Sequence, residues 1–107
     1  MDFYLEMLKK RKEKNITFYW GTDLIIKGIF HTFYETDNGL EMDDPNYIEY
    51  EATAIQIKEV IHDSKKEIMS PAFYTELKAG KYMEISELNC PTKVVLENGE
   101  IIWGTEN

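Results

Sequence analysis

The sequence predicts an α+β fold that is mostly β. An N-terminal helix should precede a strongly bent antiparallel sheet or small barrel of five or six strands, with a short helix before the C-terminal hairpin. Three observations predict this. β-Branched and aromatic residues dominate residues 16–34, 47–62 and 93–103, as a pleated, half-buried surface requires. Turn signals at Gly21-Thr22-Asp23, Asp37-Asn38-Gly39 and Asn98-Gly99 separate these runs. The connections lack the long helical crossovers of a doubly wound sheet. At 107 residues the chain fits one domain, with a helix in 1–14 and a β-rich body in 15–107.

Residues 2–13 read as the helix. Asp2 is its N-cap, Phe3–Met7 and Tyr4–Leu8 are spaced four apart, and Glu6–Lys10 is a favourable i,i+4 pair. Such a short helix is marginal alone, so a face with Tyr4, Leu5 and Leu8 must dock on the body before Asn15 stops it. Ile16–Trp20 alternates as a strand with Ile16, Phe18 and Trp20 on one face. Leu24–Tyr34 is apolar on both faces, with Leu24, Ile26, Phe30 and Tyr34 on one and Ile25, Ile29 and Phe33 on the other. A strand of that kind is central or covered on both sides. Gly28 in its middle points to a bend, a bulge or a closely passing backbone.

Thr36–Asn46 is a loop by composition. Tyr47–His62 is open to two readings. A strand with a bulge near Thr53–Ile55 accounts for the change of phase there, and a helix over Ala52–His62 would align Ala54, Ile57 and Ile61. The excess of Ile and Val favours the strand. Asp63–Lys66 is a polar turn, and Ser70-Pro71 starts a short helix over Pro71–Lys78. Tyr82–Ile85 is a strand. Lys93–Glu97 and Glu100–Trp103 form a hairpin whose Asn98-Gly99 suits a type I′ turn.

The formal charge is −8, and its distribution is uneven. Residues 1–14 hold five basic and three acidic residues, and the rest holds seven basic and seventeen acidic. Between Glu35 and Glu51 stand seven carboxylates without a single Lys or Arg. Such a field attracts cationic partners and repels nucleic acid and anionic membrane. Cys90 is the only cysteine, so no internal disulfide forms and a reducing cytoplasm is expected. The first residues place apolar side chains before charges, the reverse of a secretory signal. No apolar run reaches the roughly 20 residues needed to cross a bilayer.

No phosphate loop, nucleophile elbow or dinucleotide fingerprint is present, so an enzyme is disfavoured and no cofactor is expected. Asp37-Asn38-Gly39 with Glu41, Asp43 and Asp44 offers hard oxygens for a divalent cation but lacks the calcium-loop spacing. His31, His62 and Cys90 carry no zinc-ligand spacing, and nothing near Cys90 lowers a thiol pKa. No metal site is therefore assigned. Lys9–Lys12 complements the end of its helix, or pairs with the acidic loop of this chain or of a second copy, which would make a homodimer.

The leading functional expectation is an interaction module for a basic partner protein. Asp37, Glu41, Asp43 and Asp44 would steer association, while Tyr34, Tyr47 and Tyr50 would supply affinity. Inhibitors and immunity proteins against nucleases, and phage-encoded inhibitors of host enzymes, share this profile of size and charge, an analogy without a motif behind it. The alternative is a small barrel binding a small molecule, or an enzyme, with Tyr19, Trp20, His31 and Tyr34 lining its mouth.

Overall fold

In the computed structural model, which describes residues 3–63 and 78–104, the described elements are one α-helix, six strands and a 3-10 turn at Glu87–Asn89: α1 (Phe3–Lys9), β1 (Ile16–Trp20), β2 (Leu24–Asp37), β3 (Glu49–Asp63), β4 (Tyr82–Ser86), β5 (Lys93–Val95) and β6 (Ile101–Trp103). The strands form a single antiparallel sheet in the order β4-β3-β2-β1-β5-β6. β4 and β6 remain edges, so the barrel expectation is corrected to an open sheet. The short helix expected over Pro71–Lys78 falls on residues 71–77, outside the described ones.

The helix ends at Lys9 rather than at residue 13. Its apolar stripe stops at Leu8 and the residues beyond are charged, so only turn hydrogen bonds continue as far as Glu13. Phe3 and Met7 are the residues it buries, whereas Leu5 is half exposed. Phe3 meets Trp103 of β6 edge to face with centroids 5.1 Å apart, and Tyr4 meets Phe33 of β2 at 5.6 Å. One helix thus ties distant strands of the sheet together over a core of Ile16, Phe18, Trp20, Ile26, Phe30, Ile55, Ile57, Met83, Ile85 and Val94.

Residues 53–61 are strand throughout. The long β2–β3 ladder slips register at three places. His31 is the extra residue on β2, and Lys58 and Ile61 are the extra residues on β3. The expected bulge therefore lies across the ladder from Ala54–Ile55, on the partner strand. β3 keeps its phase there because Thr53 is an inward residue, its hydroxyl satisfied by donating to the Thr32 carbonyl at 2.9 Å. Beyond His31 the facing of β2 changes: Phe33 joins Phe30 on the core side, centroids 5.3 Å apart, and Tyr34 moves to the outer face.

The C-terminal hairpin forms with a different turn from the one expected. Leu96 and Glu100 close a three-residue loop, and the Gly99 amide bonds the Leu96 carbonyl at 2.9 Å. Gly99 alone in this loop takes a positive φ, at 91°. That is a type I turn followed by a left-handed glycine, the common three-residue hairpin, rather than type I′.

Gly28 sits where β2 and β3 are crowded by the Lys58 bulge. A Cβ there would stand 2.9 Å from the Gln56 carbonyl oxygen and 3.2 Å from Ile55 Cδ1. Gly28→Ala should therefore destabilise the fold by about 1–3 kcal/mol despite alanine's better strand fit. A urea midpoint equal to or above wild type would contradict the close approach.

Candidate functional site

β1 pairs with β2 only as far as Gly28, and β4 pairs with β3 only over Ala52–Gln56. Past Tyr34 and Ala52 the ladder consists of two strands alone, Glu35–Asp37 against Glu49–Glu51. This arm carries residues 38–48 at its tip. Its register sets Glu35 opposite Glu51 and Asp37 opposite Glu49. Residues two apart share a face, so these four carboxylates extend the side that begins with Phe33, Thr53 and Ile85, the side on which α1 lies. Like charges directly opposite cost about 0.2–1 kcal/mol per pair. A cleft of about 270 Å³ opens beside them, lined by Tyr4, Glu35, Glu49, Tyr50, Glu51 and Glu87. Among the described residues the ion pairs are Lys9–Glu6 at 2.8 Å and Lys10–Glu100 at 3.2 Å, and neither reaches the arm.

The tip is held by its own polar groups. Asp37 Oδ1 accepts the Gly39 amide at 2.8 Å, and Asp44 Oδ1 accepts that of Asn46 at 2.8 Å. Asn38 closes the loop: its amide donates to the Ile48 carbonyl at 3.2 Å, and its side chain donates to the Asn46 carbonyl at 2.8 Å. Tyr47 donates to Glu49 Oε1 at 3.2 Å. The loop turns outward Glu41, Asp43 and Met42, the last 79% exposed, with Leu40 and Ile48 about two-fifths exposed.

None of the residues expected to line a barrel mouth borders the cleft beside the arm. Trp20 is buried in the core and donates to the Asn89 carbonyl at 2.6 Å. Its neighbour Tyr19 points to the opposite face, with Lys93 Nζ 4.4 Å from its ring centre. His31 is exposed on its bulge against Tyr82. Cys90 is half-buried, its thiol directed to the Pro91 carbonyl at 3.4 Å. Burial chiefly, with the Glu87 charge, pushes that thiol pKa up against a lowering contact from Trp103, a poor setting for a nucleophile. Among the described residues no three His, Cys, Asp or Glu side chains gather as metal ligands, and no helix is long and apolar enough to cross a membrane.

By register Tyr34 and Tyr50 belong to the outer face, and Tyr50 also lines the cleft with the carboxylates. Tyr34 donates to Glu84 Oε1 at 2.6 Å and Tyr50 to Glu84 Oε2 at 3.2 Å. Glu84 is on β4 and Tyr34 on β2, so the contact spans β3, where Ala52 and Ala54 provide low relief beneath it. Desolvation first, and then Glu84, raises both phenols, Tyr50 to about 12. Tyr47 is raised as well, by desolvation and then by Glu49, Asp37 and Glu35. Glu35, Glu49 and Glu51 stand in the acidic stretch but were not singled out from sequence, because alternation shows which acids share a face only once the register is known. Glu84 and Glu87 carry no sequence signal that would connect them to the stretch. The folded state favours the neutral phenols, so their contribution is complete below about pH 10 and falls as pH rises toward 12. In an ultraviolet titration Glu84→Gln should bring the two late-ionising tyrosines to lower pH. An unchanged titration would show that Glu84 does not hold them.

A family model described as cognate immunity protein YxxD matches residues 1–107. No curated protein and no solved structure matches the chain. The spacing spelled in the family description occurs once in the sequence, at Tyr34-Glu35-Thr36-Asp37, and these four residues run from the root of the arm to its tip. The chain therefore belongs to the YxxD family of cognate immunity proteins, and a role in binding a partner protein comes with that membership.

Proposed function

We propose that the protein neutralises a cognate toxin by laying the carboxylate side of the β2–β3 arm and its acidic tip against a basic surface of that toxin. The observation that carries this reading is the like-charge register of Glu35 with Glu51 and Asp37 with Glu49, with no ion pair to the arm among the described residues. Folding alone gains nothing from that arrangement, whereas a cationic partner converts the repulsion into attraction. Glu41, Asp43 and Asp44 enlarge the field and speed encounter. Tyr47, Met42, Leu40 and Ile48 supply apolar contact within an acidic rim, the usual anatomy of a tight interface. A toxin surface that normally binds phosphate has the complementary charge.

Capture from a lysate of the source cell tests the reading. Wild-type protein should retain a basic protein, identified by mass spectrometry, and added salt should weaken the complex mainly by slowing association. The variant with Glu35→Gln, Glu49→Gln and Glu51→Gln should lose it. Undiminished capture by the triple variant would remove the arm from the interface.

A single charge reversal separates folding from binding. Glu51→Lys replaces repulsion across the ladder with attraction to Glu35, so stability should rise by about 0.5–1 kcal/mol while capture falls. Lower stability in chemical denaturation would mean that the Glu35–Glu51 repulsion is not felt.

A further inference from the structure

We infer that the Tyr-x-x-Asp element is a positioning device for the arm, with Tyr34 and Asp37 acting as its two end fixings, Asp37 in addition to its place in the charged face. This deepens the reading above and rests on the arm being the contact surface. A two-stranded ribbon is marginal in water, and this one also carries two opposed pairs of like charges. It needs fixing at its root, where the sheet ends, and at its tip, where the chain reverses.

Tyr34 sits at the root. Its partner Ala52 is the last β3 residue paired with β4, facing Ser86. From there the phenol passes over β3 and donates to Glu84 at 2.6 Å, and Tyr50 on the arm itself joins the same carboxylate from its other oxygen. One carboxylate thus holds a side chain from each arm strand to the edge strand β4. That hydroxyl is spent within the molecule, and its ring lies on the face opposite the carboxylates.

Asp37 sits at the tip, three residues on. An odd separation along a strand reverses the face, so Asp37 lies with Glu35 while Tyr34 points away. Its Oδ1 accepts the Gly39 amide at 2.8 Å as Gly39 turns with φ of 82°. Asn38, fixed by this turn, then receives the Leu40 and Ile48 amides at 3.4 and 3.5 Å and closes the loop. The spacing of three follows from the arm's length: the ladder beyond Tyr34 is Glu35–Asp37 against Glu49–Glu51, so root and tip lie one tyrosine and one aspartate apart.

Backbone amide exchange on the purified full chain tests this without any partner. Asp37→Ala should speed exchange at Gly39, Leu40 and Ile48 by about tenfold. Asp37→Asn keeps an acceptor oxygen and should exchange like wild type at those amides. Tyr34→Phe should speed the arm amides of Glu35–Asp37 and Glu49–Glu51 by a similar factor, with core amides such as Ile55 unchanged. The inference is overturned if Asp37→Ala leaves the loop unaltered, if Asp37→Asn loosens it equally, or if Tyr34→Phe accelerates arm and core alike. Failure of toxin capture would leave these exchange results standing, so the two readings fail separately.

Discussion

The extra residue that β2 inserts at His31 decides which side of the molecule every later group occupies. An unbroken alternation from Phe30 would turn Tyr34 inward and send Glu35 and Asp37 to the outer face. With the insertion, Phe33 packs against Phe30 and under Tyr4 of the helix, and Tyr34 is free to reach Glu84. The carboxylates then continue the helix side of the sheet, bordering the cleft with Tyr4 and Glu87. A bulge also adds local twist, and this ladder has three register slips.

That dependence also explains what could be read in the sequence. The strands β1, β2 and β4–β6 announce themselves by β-branched and aromatic runs between turns, and β2 is central, as its two apolar faces imply. The phase within β2 and β3 was not legible, because a bulge adds one residue without a distinctive side chain. His31 looks like any member of an alternating run. Thr53 looks polar and outward, yet is buried once its hydroxyl finds the Thr32 carbonyl. Asn98-Gly99 correctly marks a hairpin, but the dipeptide fits two loop lengths, and the position of the ladder bond at Leu96 chooses between them. The acidic stretch was visible as composition. Which of its members line up was not, because that depends on the register between residues separated by the whole loop.

The acidic arm also has an energetic signature. Like charges set directly opposite on a ladder are destabilising, and the arm carries two such pairs, Glu35 with Glu51 and Asp37 with Glu49. A solvated acidic loop kept only for solubility would not need those charges paired across a ladder, where the repulsion is largest. Meanwhile three cations of the N-terminal segment are engaged elsewhere, Lys9 with Glu6, Lys10 with Glu100, and Arg11 with the Leu8 carbonyl at the helix end. Among the described residues no cation pairs with the arm, which leaves its field for the proposed partner.

Field and grip are separable parts of such a surface. Exposed carboxylates act over roughly a Debye length, about 8 Å at physiological salt, and so govern encounter more than residence. Met42, Leu40 and Ile48 act only at contact, and their exposure amid Glu41, Asp43 and Asp44 prevents them from forming an uninterrupted apolar patch. In the proposed complex the two kinds of group would have to meet the partner in one fixed arrangement, because each ordered side chain subtracts from affinity if it must be fixed on binding. A free two-stranded arm would lose that arrangement to its own charge repulsion. The tyrosine-to-glutamate span at the root and the aspartate-capped turn at the tip supply the missing rigidity from groups that lie off the contact face or are already hydrogen-bonded. Tyr34 and Asp37, each expected from sequence to meet a partner, are thus accounted for by the inferred frame that keeps a repulsive surface in shape.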